Sequence, residues 1–134
     1  KHARRIWSLK DNPELRFMAL KDFDQDMITL IKRGSVLRYA PTQLYVSDSQ
    51  KVLIFGRGRF IFALNFSPVH SFTDFEFCAP SGEYRIALNT DAKNYDGFGR
   101  IDESVHHFTS RKDGGDKLSL YLPSRSAIVL EKIR

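Results

Sequence analysis

The residues of this chain that invite chemistry are two pairs of nearby acids, two adjacent histidines and a glycine–arginine repeat. Asp102 and Glu103 are neighbours in sequence, and Asp74 and Glu76 are two apart. A retaining glycosyl transfer needs two carboxyl groups about 5–5.5 Å apart, one of them raised in pKa by burial. Extended neighbours such as Asp102 and Glu103 splay to opposite faces. Asp74 and Glu76 share the polar face of a predicted strand, where water solvates both. Neither pair reads as an acid and a nucleophile. Asp91 and Asp96 sit among turn residues, where short carboxylates cap backbone amides. Ser104 and His106 lack the Gly-x-Ser-x-Gly elbow that would expose a nucleophile.

His106 and His107 also point apart on a strand, and His2 and His70 are isolated, so no metal site is expected. Gly56-Arg-Gly-Arg59 lacks the glycine spacing and the terminal Lys-Ser/Thr of a phosphate loop. A strand follows it, so a hairpin turn is expected. The aromatic residues remain. Tyr95, Phe98 and Phe108 flank a glycine-rich stretch with Asn94, Arg100 and Asp102 beside them. Rings that stack on an apolar sugar face, with polar neighbours for the hydroxyls, make a binding subsite. The favoured alternative is that these rings close one end of the core.

These groups need elements to position them. Residues 12–33 read as helix. Asn12 caps it, Pro13 suits its first position and Glu14 its positive end. A second start is expected at Asp22, with Gln25 three residues on. Phe23, Met27, Leu30 and Ile31 then form one apolar face. Lys32 and Arg33 close the helix, and Gly34 is the expected left-handed stop. From residue 43 the period becomes two. Phe75 and Phe77 alternate with Asp74 and Glu76; Tyr84, Ile86 and Leu88 with Glu83, Arg85 and Ala87; Leu118, Leu120 and Leu122 with Ser119 and Tyr121. Val52–Phe55 and Phe60–Leu64 are continuous apolar runs, expected to be covered on both faces. Ala127–Leu130 is a last strand. The expected fold is mainly β: an antiparallel two-sheet sandwich over residues 39–134, preceded by a helical segment over 1–38.

The chain has 134 residues, enough for one core. No apolar run approaches a membrane span, and the first residues have no signal-peptide pattern. The missing initiator methionine hints at a fragment. The single Cys78 fits a reducing compartment, so a cytoplasmic location is expected. The net charge is +5, but residues 39–134 carry twelve Lys/Arg against eleven Asp/Glu. Nucleic-acid capture needs a clustered basic surface, so no nucleic-acid partner is expected.

The motifs fall in a telling order: Phe62-Ala-Leu-Asn-Phe66, Ser71-Phe-Thr-Asp-Phe75, Gly82-Glu-Tyr-Arg-Ile86, Asp91-Ala92, Gly97-Phe-Gly-Arg-Ile-Asp102 and Tyr121-Leu-Pro-Ser-Arg125. Together they resemble the C-terminal all-β domain of glycogen and starch branching enzymes, in the α-amylase superfamily. Ala3-Arg-Arg5, Asp11, Leu15-Arg16 and Phe23-Asp-Gln-Asp-Met27 resemble the end of that family's catalytic barrel. Ser67 stands where the family has histidine in Asn-Phe-His-Pro, and the loop at 111–116 is shorter than is usual there.

The resemblance implies a parent enzyme that cleaves an α-1,4-glucan and rejoins it through an α-1,6 bond. It implies a covalent glycosyl intermediate on an aspartate, a glutamate acid/base and no cofactor. The family's catalytic motifs would lie upstream of residue 1. This chain is then expected to support the barrel of the same polypeptide, and Tyr95, Phe98, Arg100, Asp102 and Phe108 are the candidates for α-glucan contact. Trp7, Phe23, Met27, Leu30 and Ile31 are the expected barrel-facing residues, and self-association through them is expected if that face is open.

Overall fold

A computed structural model describes residues 17–134. Trp7, the cap at Asn12 and the motifs before residue 17 lie outside these residues. One helix, α1 (Phe17–Arg33), precedes a 3-10 turn at Val36–Arg38 and nine strands: β1 (Thr42–Ser47), β2 (Val52–Arg57), β3 (Phe60–Asn65), β4 (Phe72–Cys78), β5 (Glu83–Asn89), β6 (His107–Phe108), β7 (Ser110–Lys112), β8 (Gly115–Leu122) and β9 (Ser126–Lys132). They form an antiparallel six-stranded sheet, ordered β1-β2-β3-β9-β5-β6, and a three-stranded sheet, ordered β4-β8-β7. The chain is therefore the mainly-β, two-sheet protein that the alternation predicts.

The larger sheet is covered on both faces. Val52, Ile54, Ile61, Ala63, Ile128 and Leu130 meet Phe75, Phe77, Leu118, Leu120 and Leu122 of the smaller sheet. On the opposite face, Phe60, Leu88 and Val129 meet Leu30 of α1 and Val36. This explains why β3 and β9 read as continuous apolar runs, whereas on β2 only Val52 and Ile54 are buried and Leu53 and Phe55 are partly open on the other face.

Three bulges decide which residues reach which core. In β5, Ile86 pairs with Leu130 but Leu88 pairs with Val129, so Ala87 is an extra residue. Tyr84 and Ile86 face the smaller sheet, while Leu88 turns to the helix. The expected single face Tyr84-Ile86-Leu88 is thereby split, because one inserted residue reverses the side-chain alternation beyond it. A bulge at Leu44 lets both Leu44 and Tyr45 pack inward. A third lies at Thr73–Asp74, with Asp74 at φ 52°.

The helix is continuous through Asp22, so no second start occurs there. No glycine or proline interrupts residues 17–33, and the backbone ladder overrides the local capping pattern. Ser35, not Gly34, adopts the left-handed conformation after the helix, at φ 50°. Gly34 serves another purpose: a Cβ there would lie 2.2 Å from the Phe60 ring. Its missing side chain lets that ring tuck under the helix end.

Phe23, Met27 and Ile31 pack with Leu30 against the sheet of this same chain. The stripe expected to face a barrel thus packs in part on this same chain: Leu30 is buried, and Phe23, Met27 and Ile31 are partly buried. Packing does not break at residue 38. Among the described side chains, the large apolar ones left exposed on the helix are Leu20 and Ile28, 57% and 51% exposed.

A buried carboxylate fixes the end of the helix. Glu131, 4% exposed, follows the apolar run of β9 on the helix face. Arg33 of α1 donates to both its oxygens at 3.0 and 3.2 Å, Arg59 donates at 2.8 Å and Arg85 at 2.6 Å. Burial alone would raise this carboxyl; the Arg33 bonds and the surrounding guanidinium charges outweigh it and hold it below the usual carboxylate range.

Glu131→Gln leaves three guanidinium groups around an uncharged amide. Breaking a buried ion pair costs about 3–5 kcal/mol. These guanidinium groups are 41–50% exposed, so about 2–3 kcal/mol is expected by urea unfolding. Because the folded pKa is depressed, the wild-type contribution is complete above the ordinary value near 4.5 and is lost as pH falls through the folded value. The wild-type–variant difference should therefore shrink below that pH; a constant difference would contradict the assignment.

Candidate functional site

The chain between β5 and β6 carries most of the residues singled out by type and spacing, and a buried aspartate organises it. Asn89, 1% exposed, accepts the Asp91 amide at 2.9 Å and so starts the turn. Asp91, 4% exposed, accepts backbone amides from Phe98 at 3.2 Å and Arg100 at 2.9 Å. The Arg100 guanidinium returns to the same carboxylate at 3.0 and 2.9 Å, and reaches the Ser124 carbonyl at 2.9 Å. Burial raises the Asp91 carboxyl, and the Arg100 and amide bonds more than reverse this, leaving it below its usual value. Gly97 is required here, since a Cβ would lie 2.2 Å from the Asp91 carbonyl. Asp91 does cap backbone, and it carries an ion pair as well.

The five residues considered for glucan contact have different surroundings. Arg100 is committed to Asp91 and Ser124. Tyr95 lies under α1: its ring meets Phe23 edge-on at 5.2 Å and its hydroxyl donates to Asp26. Burial and then Asp26 push that phenol up to about 12. Asp102 accepts the amide and the hydroxyl of Ser104 at 3.0 and 2.6 Å, a local turn. Phe98 and Phe108 are open, 79% and 65% exposed, with the Arg100 guanidinium 5.0 Å from the centre of the Phe98 ring. The structure therefore leaves two aromatic faces available to solvent and draws the polar neighbours inward.

Glu83, 6% exposed, is a third buried acid, overlooked in the alternation pattern. It meets Arg134 Nε at 2.6 Å and His106 Nδ1 at 2.6 Å, and those two bonds hold it below its usual value. His107 points to the other side and its Nδ1 is buried without a partner. Glu83, Asp91 and Glu131 are thus the buried acids among the described residues, and each is bound by arginine and held ionised. A general acid for glycosyl transfer requires the reverse, a carboxyl raised toward neutrality. Among the described residues no group of three metal-ligating side chains converges, and no helix is long and apolar enough to cross a membrane.

Ser67, the departure from Asn-Phe-His-Pro, is 2% exposed, and its hydroxyl accepts the His70 amide at 3.0 Å. Asn65 beside it accepts the Ser67 amide at 2.9 Å and donates to the carbonyls of His70 at 2.9 Å and Leu122 at 3.1 Å. These polar residues set the crossing from β3 to β4. Glu131 had a sequence signal, a charge directly after an apolar run; Asn65 and Asn89 likewise end apolar strands.

The described residues thus form two antiparallel sheets with one helix packed on the larger of them. The model of the family described as "Alpha amylase, C-terminal all-beta domain" matches residues 45–133, and the chain belongs to that family. It is 36% identical, over 97% of its length, to a 1,4-alpha-glucan-branching enzyme of Saccharomyces cerevisiae, covering 19% of that protein. It is 35% identical over 98% of its length to one of Dictyostelium discoideum, covering 20% of it. It is 39% identical over 81% of its length to a chloroplastic/amyloplastic one of Oryza sativa, covering 13% of it. The chain thus spans at most about a fifth of these relatives.

Burial, and then the charge of His106, push the His107 imidazole below its ordinary value of 6.5. The neutral ring fits the fold, so its contribution is complete above that value and is lost as pH falls below it. Thermal melts between about pH 7.5 and 5.5 should show a flatter decline for His107→Phe than for wild type. Parallel declines would contradict this.

Proposed function

We propose that this chain is the non-catalytic C-terminal β domain of a 1,4-α-glucan branching enzyme, supporting a catalytic barrel of the same polypeptide. The observation that carries this reading is the match of residues 45–133 to the C-terminal all-beta domain family, together with branching-enzyme relatives that align over nearly the whole chain. Among the described residues the buried acids Glu83, Asp91 and Glu131 each pair with an arginine. The matches to branching enzymes supply the parent reaction. An exposed free thiol at Cys78 supports a cytoplasmic setting.

Surface character supports a docked role. Beside α1, the outer face of β1–β3 carries Val46, 56% exposed, and the Phe55–Phe62 stack, with ring centres 4.8 Å apart. Leu20 and Ile28 are also exposed on the helix. Exposed apolar surface of this kind marks interaction sites. A second role is glucan contact through Phe98 and Phe108, favoured by their exposure and by the guanidinium beside Phe98.

The purified chain should leave the iodine absorbance of amylose unchanged; turnover would overturn the proposal. In the yeast relative, deleting the matching fifth should abolish soluble activity, and grafting this chain in its place should restore part of it. A graft no better than the deletion would count against the supporting role. Retardation in an amylopectin gel should weaken severalfold in Phe98→Ala/Phe108→Ala if those rings bind glucan; unchanged mobility would remove that second role.

A further inference from the structure

The end of the larger sheet nearest Gly34 has a cleft of about 660 Å³. It lies where the chain crosses from the helix side to β1. Edges of Leu44, Ile61 and Tyr84 form an apolar floor. Tyr39 forms a wall, its backbone carbonyl pinned by Arg57 Nε at 2.6 Å and its ring resting on Gly58. Arg59 and Lys132 line the same cleft. Its volume falls within the roughly 300–1,000 Å³ of small-molecule sites, and its pattern is theirs: apolar walls with a few polar groups.

Charge gives this cleft its character. Arg33, Arg59, Arg85, Lys132 and Arg134 cluster at this end of the sheet against two buried acids, Glu83 and Glu131. Both acids are already occupied: Glu131 by three arginines, Glu83 by Arg134 and His106. Of these groups only Arg59 and Lys132 line the cleft, and no acid lines it. No carboxylate among the described residues pairs with the Lys132 ammonium. Its stem is seated on Gly82, where a Cβ would lie 2.6 Å from Lys132 Cε. Arg59 gives only its Nε to Glu131, so its terminal nitrogens remain donors.

We propose that this cleft binds a small oxyanion carried on a sugar-sized body, such as a hexose phosphate. Lys132 and Arg59 meet the oxyanion, while the ring lies along Tyr39 and the apolar floor. A guanidinium and an ammonium suit phosphate and carboxylate oxygens through charge-assisted hydrogen bonds. The site does not depend on the branching-enzyme reading; it would stand if that reading failed.

The test is titration of the ¹⁵N-labelled chain, followed by amide resonances, with glucose 6-phosphate, inorganic phosphate and glucose as separate probes. Glucose 6-phosphate at millimolar concentration should move resonances at residues 39, 40, 42, 56–59 and 132. Phosphate should move the same set more weakly, and glucose should not move it. Lys132→Met should weaken glucose 6-phosphate binding at least about tenfold, and added salt should weaken it in the wild type. Lys132→Met leaves the Glu131 cluster in place, and an unchanged melting temperature verifies its fold. No shifts with glucose 6-phosphate, equal shifts with glucose, or equal affinity in Lys132→Met would each overturn the proposal.

Discussion

One carboxylate holds the two halves of this structure in register. Glu131 sits where the end of α1, the β2–β3 hairpin and β5 converge, and it receives an arginine from each. A carboxylate so placed would be unfavourable if left alone, because burial penalises its charge. Three guanidinium groups reverse that penalty. The same three cations would repel one another without it. The helix is thus attached by Phe23, Met27, Leu30 and Ile31 through apolar contact, and by Arg33 through charge. Apolar contact supplies area without direction; the bidentate Arg33 bonds set where along the sheet the helix stops.

The same arrangement recurs on a smaller scale wherever the chain leaves a strand. Asn65 and Ser67 turn β3 toward β4, Asn89 and Asp91 turn β5 into the long loop, and Glu83 gathers Arg134 and His106 at the sheet edge. Each group is buried, and each satisfies backbone amides or cations. Acids used in this way are held ionised by what surrounds them. That separates them physically from a catalytic pair, one member of which must be kept protonated. Among the described residues the buried acids therefore serve the fold.

Much of the architecture was legible in the sequence because alternation reports burial directly. Phe75 and Phe77 against Glu76, and the continuous runs of β2 and β3, identify faces without further information. Insertions broke the reading. Ala87 looks like any other member of β5, yet as a bulge it moves Leu88 from one core to the other. The helix stripe was visible, but its partner was not, since sequence period shows that a face must be buried without showing against what. The candidate site was legible only in part. Phe98 and Phe108 stand open, whereas Arg100 and Tyr95 are drawn inward by Asp91 and by Phe23 and Asp26. Such pairings join residues as far apart as Phe23 and Tyr95, and local spacing carries no trace of them.

The account rests on Glu131 coupling the helix to the sheet, and a double-mutant cycle measures that coupling most directly. Arg33→Met and Glu131→Gln, alone and together, would be compared by equilibrium urea unfolding, with amide exchange followed along α1. The account predicts a coupling free energy of about 1–3 kcal/mol, the range for residues in one ion-pair network. It also predicts loss of exchange protection in α1 while β4 and β8 stay protected. Additive single effects, with α1 amides as protected as in wild type, would contradict it.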